Sequence, residues 1–502
     1  MKISNAILIV LAISLVLIGT DPGYAEIRRL YLYDDIANYP WSGFMGSSNG
    51  SSITLNLYDD EDAYEGMYRA QITTTGQEPW CGIAIQSRPD QWNPPGSDFS
   101  DTLALKLRIK GQGSESIIIK SMNDKYSRNV TLTNQWQQVV LPFNTGDNFT
   151  SITSLASIVI PNNQNITIYL DEIYFEIERP QLSPTHDLPS IIKGVGYNEI
   201  DPAKYDSDFA MIKNSLHANT LRFWGQTDFT HITLDKAAQN NLNVIISYWI
   251  PYNADFHDLT MKNALKHSIK NFLKFYLPHN SVIMLSIGNE VFHNLFPNTG
   301  QNKIAFATFL DELAVEIHTI YPNLMITYAA VGTEPIVLLK NYSPNLNFYG
   351  CNSYGNIGDV IQEYESSGYS KPFIFLEFGC FGWWEKDWLS YSDEQRAFDY
   401  VTHWSLLRAS SMGGCAFAWI DKSENGYIGW GLMNNDRTPR SQFKSLAGSY
   451  AELKDVIAVL KIVAGIDDSS AFFNTILDDV NGDAKIGVEE AIFLLQRCAD
   501  IY

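Results

Sequence analysis

Residues 282–290 read VIMLSIGNE, an apolar run interrupted only by Ser286 and closing on Gly288, Asn289 and Glu290. A short apolar stretch of this kind suits a strand buried on both faces, as in a parallel sheet. It follows TMKNALKHSIKNFLKFYL (260–277), whose apolar residues recur at helical spacing. Working outward, the same alternation returns in both directions. Apolar strands are read at IIKGVGYN (191–198), NTLRFWG (219–225), NVIISYW (243–249), LMITYAA (324–330), NFYGCNSYG (347–355), PFIFLEFG (372–379) and GGCAFAWID (413–421), with helical patterns between them such as DEQRAFDYVTHWSLL (393–407). Eight strand-helix units between residues 191 and 450 predict a (β/α)8 TIM barrel rather than a doubly wound sheet. In such a barrel the polar residues at the C-terminal ends of the strands converge on one face.

The flanks read differently. From residue 26 to 178 the chain is a series of short alternating segments, among them SSITLNLY (51–58), TLALKLRIKG (102–111) and ITIYLDEIYFEI (166–177), which predicts an antiparallel β-sandwich. ERPQLSPTHDLPS (178–190) has no periodicity and is punctuated by proline, so residues 179–190 read as a linker. Residues 455–502 form a small separate segment with two helical patterns. The expected architecture is therefore multidomain: an all-β sandwich, a TIM barrel, and a small α-helical EF-hand-like module. Residues 1–25, with Lys2, an apolar run from Ala6 to Ile18 and small residues before Glu26, read as a signal peptide. That places the protein outside the cell, at the cell surface or in a periplasm, with no membrane span once the signal is cleaved.

The net charge of −21 over 502 residues argues against nucleic acid as a partner, because phosphate contacts need clustered Lys and Arg. Five cysteines, Cys81, Cys351, Cys380, Cys415 and Cys498, are too scattered for a disulfide framework or a CxxC metal site. Five N-x-S/T sequons, at Asn49, Asn129, Asn148, Asn165 and Asn341, matter only in a glycosylating host.

Chemistry is suggested by two carboxylates. Glu290 ends strand four and Glu377 ends strand seven, on opposite sides of the barrel mouth. An ionised Glu at the end of an apolar wall strand costs desolvation energy unless it is hydrogen-bonded or functional. Facing carboxyls about 5–5.5 Å apart cleave a glycosidic bond with retention, and those about 6.5–9.5 Å apart with inversion.

Asn-Glu at the end of strand four with a second Glu at the end of strand seven resembles the signature of the clan A retaining glycoside hydrolases. GVGYN, NTLRFWG, SIGNEV, FYGCNSYG and FLEFGC look most like family 2 type barrels and the fungal wall β-1,3-glucanosyltransferases, over residues 191 to 446. The resemblance implies Glu290 as acid/base and Glu377 as nucleophile. It implies substrate contacts or support from Arg222, which would hold the nucleophile ionised, from Asn289, which would bind the sugar 2-hydroxyl, and from Tyr354, which would hydrogen-bond the nucleophile. Trp419 would form the floor beneath the sugar ring. Trp224 and Trp249 rank below it, as core or subsite residues, and His293, Trp383 and Trp384 are further candidates for the subsite walls.

The N-terminal segment resembles galactose-binding-like carbohydrate-binding modules, with Trp80 and Trp92 as candidate stacking residues and Asp34, Asp35 and Asp171 as a candidate calcium site. In the C-terminal segment Asp479, Asn481, Asp483, the Lys485 carbonyl and Glu490 occupy the first, third, fifth, seventh and twelfth places of an EF-hand loop, an oxygen set for structural Ca2+. Ala484 replaces the usual glycine at the sixth place. The segment resembles half of a dockerin, which implies a cohesin-like partner, although the second loop is absent. No cofactor is expected for catalysis. The leading function is retaining hydrolysis of β-linked poly- or oligosaccharides, β-glucan first, with mannan and galactoside open. Glucanosyl transfer and a non-catalytic glycan-binding surface protein are the alternatives.

Overall fold

The computed structural model describes residues 25–45, 53–75, 80–88, 95–161, 165–180, 187–199, 201–380, 391–421, 429–466 and 487–498. Residues 1–24 of the signal-like segment, Trp92, Trp383, Trp384, Asp479, Asn481, Asp483 and Lys485 lie outside the described residues.

Strands Ile192–Gly196, Thr220–Arg222, Asn243–Tyr248, Val282–Asn289, Met325–Val331, Tyr349–Tyr354, Phe373–Gly379 and Gly413–Ala416 pair in parallel and in chain order, and the last returns to the first to close a barrel. They are called barrel strands one to eight. Each coincides with one of the apolar runs read in the sequence. Strand seven is buried along its whole length because helices cover the barrel outside while side chains fill it inside. The helices carry local start signals: Asp258 accepts from the Thr260 N–H ahead of helix Leu259–Tyr276, and Ser392 and Gln395 form a capping box ahead of helix Asp393–Ser410.

The N-terminal part is two antiparallel sheets. One contains Ala25–Asp34, Arg69–Thr74, Thr102–Lys110 and Thr167–Pro180; the other contains Trp80–Gln86, Ser116–Ser121 and Ser154–Pro161. Their apolar faces, with Leu105, Leu107 and Leu170 from one sheet and Ile83, Ile119 and Ile158 from the other, share one core. The sandwich is bound tightly to the barrel. Asn38 accepts from the Tyr248 hydroxyl of strand three at 3.0 Å and from the Ser268 hydroxyl at 2.7 Å. His267 faces Asp34 at 2.9 Å, and Asn271 contacts the same carboxylate.

The candidate calcium site at Asp34, Asp35 and Asp171 is not formed. Asp35 accepts the N–H groups of Met67 (2.5 Å) and Tyr68 (2.8 Å), Asp171 accepts those of Tyr64, Glu65 and Glu172, and Asp34 turns to the barrel helix. Carboxylates that accept amide N–H groups hold the loops that carry those amides. Among the described residues no group of three His, Cys, Asp or Glu side chains is arranged for a metal.

The hydrogen bond to Asp34 raises the His267 pKa above its ordinary value of 6.5, against the opposing effect of burial. A raised folded-state pKa gives stability that is complete below the unfolded value and is lost as pH rises through the folded one. The melting difference between the native protein and His267→Gln therefore narrows between pH 6 and 9, by no more than about 2 °C for a partly exposed pair. A difference that is constant or grows with pH contradicts this.

Helices Leu453–Val463 and Val488–Cys498 pack on a small core of Val456, Val459, Ala491 and Leu494. Glu490, in the first turn of the second helix, is buried and accepts the Gly487 N–H at 2.5 Å. No described helix is long and apolar enough to cross a membrane.

Candidate active site

The end of strand seven places Glu377 inside the barrel mouth, with 4% of its surface exposed. Its Oε1 accepts from Arg222 Nη1 at 2.5 Å and from Trp224 Nε1 at 2.6 Å, and its Oε2 accepts from the Tyr354 hydroxyl. Arg222 ends strand two and is fully buried, and Tyr354 ends strand six. Burying a carboxylate costs several kcal/mol unless charged and polar donors replace its water, and three donors do so here. Burial and the neighbouring Glu377 charge push the Tyr354 hydroxyl well above its ordinary range, so it stays a phenol and donates.

Glu290 is delivered by an irregular strand end. The pairing of strand four with strand five slips between Ser286 and Asn289, Gly288 has φ 75°, and Glu290 itself sits at φ 55°. At Gly288 a Cβ would lie 2.9 Å from Val291 Cγ2. A left-handed non-glycine residue next to a bulge is a strained device that re-aims a side chain. The Glu290 N–H is held by the Ala329 carbonyl at 2.8 Å, and its Oε1 accepts from Asn352 Nδ2 at 2.8 Å.

The two carboxylates are joined by one polar chain. Arg222 Nη2 donates to Asn289 Oδ1 at 2.9 Å, and Asn352 Nδ2 reaches the same oxygen at 3.1 Å. Glu377, Arg222, Asn289, Asn352 and Glu290 thus form a continuous series across the mouth. With its Oδ1 accepting twice, Asn289 keeps its Nδ2 hydrogens for whatever occupies the cleft it lines. Burial first, and then the Glu377 charge, raise the Glu290 pKa, while Asn352 and Arg222 work the other way. The surroundings of the two acids therefore differ: one is braced by a guanidinium, an indole and a phenol, the other is desolvated beside a negative charge and accepts from an amide. That asymmetry separates an acid from a nucleophile.

No protein-family model matches the chain, and no curated protein does. Solved structures similar to it include β-glucuronidase 2 of Bacteroides uniformis (13% identity, 81% of this chain and 50% of that one, TM-score 0.43). The GH2 β-galacturonidase of Eisenbergiella tayi gives 11% identity, 86% and 99% coverage and a TM-score of 0.47. The β-D-glucuronidase of Dictyoglomus thermophilum gives 12%, 85% and 97%, and 0.45. The chain spans about half the length of the Bacteroides uniformis enzyme. At this distance the chemistry rests on the site's own geometry.

The cleft over the carboxylates has a volume of about 790 Å³ and is walled by Trp224, Trp249, Tyr252, Phe417 and Trp430. Trp249 is 38% exposed and sits 5.4 Å from Tyr252. Trp419 corrects the sequence expectation: it is fully buried, is not part of the cleft wall, and packs against Phe443 of helix Ser441–Tyr450. The chain folds back after strand eight, with Leu432 and Met433 N–H groups bonded to the Ala418 and Trp419 carbonyls. That return brings Trp430 to the mouth, stacked on Tyr354 at 5.1 Å and 15°. His293 lines the cleft and pairs with Glu334 at 3.1 Å. Trp80 is an exposed residue at the start of a sandwich strand.

Asn352 and the Glu377 contact of Trp224 were missed in the sequence. Asn352 had a signal, since it lies two residues before Tyr354 on strand six and shares its pleat face.

Proposed function

We propose that the chain is a retaining β-glycoside hydrolase. The bridged pair carries this reading: Glu377 held by three donors, Glu290 pushed towards its protonated form, and an aromatic cleft above both. In the first step Glu377 attacks the anomeric carbon, the glycosidic C–O bond breaks, and the leaving oxygen takes the Glu290 proton. In the second step water gives a proton to Glu290 and attacks the same carbon, and the glycosyl ester with Glu377 breaks. Inversion at each step returns the β configuration. Asn289 offers Nδ2 to the 2-hydroxyl, Arg222 and Tyr354 brace Glu377, and the partly exposed Trp249 supplies a sugar-stacking face. The cleft wall does not single out a glucan over other β-glycosides. A panel of β-linked polysaccharides and aryl β-glycosides tests the proposal: at least one is cleaved by the native protein. Cleavage of none contradicts it.

Asn352 stabilises the Glu290 carboxylate, so Asn352→Ala raises the Glu290 pKa further. The alkaline limb of kcat/KM, on which the acid loses its proton, then moves to higher pH. A limb that stays in place or moves down contradicts the assignment of Glu290.

Two features outside the barrel belong to the same proposal. Residues 1–25 direct export, so N-terminal sequencing of secreted protein starts at Glu26; a mature product starting at Met1 contradicts that. Asp479, Asn481, Asp483, the Lys485 carbonyl and Glu490 hold a structural Ca2+, for which hard oxygen donors are the fitting chemistry. EDTA then makes the C-terminal segment protease-sensitive and leaves glycoside cleavage unchanged, whereas equal resistance with and without EDTA contradicts the site.

A further inference from the structure

Among the described residues the sandwich contributes one, Arg88, to the cleft wall. Arg88, just after strand Trp80–Gln86, is 8% exposed and lines the cleft beside Tyr197, Asp228 and Ile420 of the barrel. Its Nε donates to Ser97 Oγ at 3.3 Å, and its Nη2 donates to the Asp228 carbonyl at 3.1 Å. Among the described residues its Nη1 has no acceptor and the guanidinium forms no ion pair. A buried charge of this kind is costly unless something supplies the counter-charge. The carboxylates of the described cleft wall are Asp228, Glu290 and Glu377, its imidazole is His293 and its phenols are Tyr197, Tyr252 and Tyr354, so among the described residues Arg88 is its one permanent cation. Among the described residues a neutral sugar would offer that guanidinium no ion-pair partner.

We propose that Arg88 is a specificity-determining residue that pairs with an oxyanion on the sugar bound in the cleft, a uronate carboxylate or a sulfate ester. This rests on the hydrolase reading, and makes the natural substrates acidic β-glycosides recognised jointly by the sandwich and the barrel. Planar guanidinium donors match such oxyanions better than they match isolated hydroxyls.

The test compares matched 4-methylumbelliferyl glycosides, β-glucuronide against β-glucoside and against β-glucoside 6-sulfate, and β-galacturonide against β-galactoside. Native protein, Arg88→Ala and Arg88→Lys are measured, with calorimetric titration of glucuronate, galacturonate, glucose 6-sulfate, glucose and galactose in parallel. The expected result is a preference for at least one acidic glycoside of roughly 10- to 100-fold in kcat/KM, the range of a hydrogen bond to a charged group. Arg88→Ala reduces it to a few-fold through KM, and Arg88→Lys restores part of it. The carboxylate and sulfate arms separate the two oxyanions. Equal rates on acidic and neutral glycosides, or a preference that survives Arg88→Ala, overturn the inference and leave the hydrolase reading standing. Acidic sugars that bind through Arg88, while neither these glycosides nor the wider panel of β-linked polysaccharides is cleaved, support the oxyanion pairing and defeat the hydrolase reading. No cleavage and no binding of any acidic sugar overturn both.

Discussion

Glu377→Gln abolishes turnover of every glycoside that the native protein cleaves. An amide in place of the carboxylate keeps the shape of the site and removes the group that forms the glycosyl ester, so no covalent intermediate accumulates. The fall in kcat is at least about 10⁴-fold, since loss of general acid help alone costs up to about that factor. Glu290→Gln separates from it by leaving group. With a poor leaving group, such as a second sugar, the loss is about 10²- to 10⁴-fold, and with a dinitrophenyl glycoside bond cleavage survives because that oxygen leaves without a proton. Azide then restores turnover in Glu290→Gln with retained configuration. Equal losses in Glu290→Gln on both kinds of substrate would remove the acid from the account.

Arg222→Met is the second large effect, and it appears in stability as well as in rate. The guanidinium is fully buried and donates to Glu377, to the Leu376 carbonyl and to Asn289. Removing one partner of a buried pair leaves the other charge uncompensated, at a cost of about 3–5 kcal/mol. Thermal unfolding therefore moves down sharply in Arg222→Met and recovers in part in the Arg222→Met, Glu377→Gln double variant, where no carboxylate is left unpaired. Additive losses in the double variant would show that the two side chains are not coupled.

The barrel was legible because its strands are continuous apolar runs separated by helical spacing, while the sandwich strands alternate; the two patterns follow from burial on both faces against burial on one. Glu290 and Glu377 were legible for a related reason, since a carboxylate ending an apolar wall strand is out of place unless something surrounds it. Arg222, Asn289 and Tyr354 followed from the resemblance, and the structure gathers all three round the carboxylates. Strand position alone does not reveal that the chain turns back over Trp419 and that Phe443 packs against it, which buries the indole. Arg88 had no local signal at all: its hydrogen bond to Asp228 spans 140 residues and depends on how the sandwich docks. The sandwich, which resembles a carbohydrate-binding module, is attached through Asn38 and Asp34 to barrel strand three and helix Leu259–Tyr276 and brings Arg88 to the cleft wall, a docking that no local pattern reveals.

A covalent glycosyl-enzyme on Glu377 can be trapped. A panel of dinitrophenyl 2-deoxy-2-fluoro-β-glycosides, acidic and neutral, is incubated with the protein, and the adduct is located by peptide mass spectrometry. One sugar per chain is expected, on the peptide carrying Glu377, and none on Glu377→Gln. An adduct on any other residue, or no adduct from the fluorinated form of a sugar whose parent glycoside is cleaved, would contradict it.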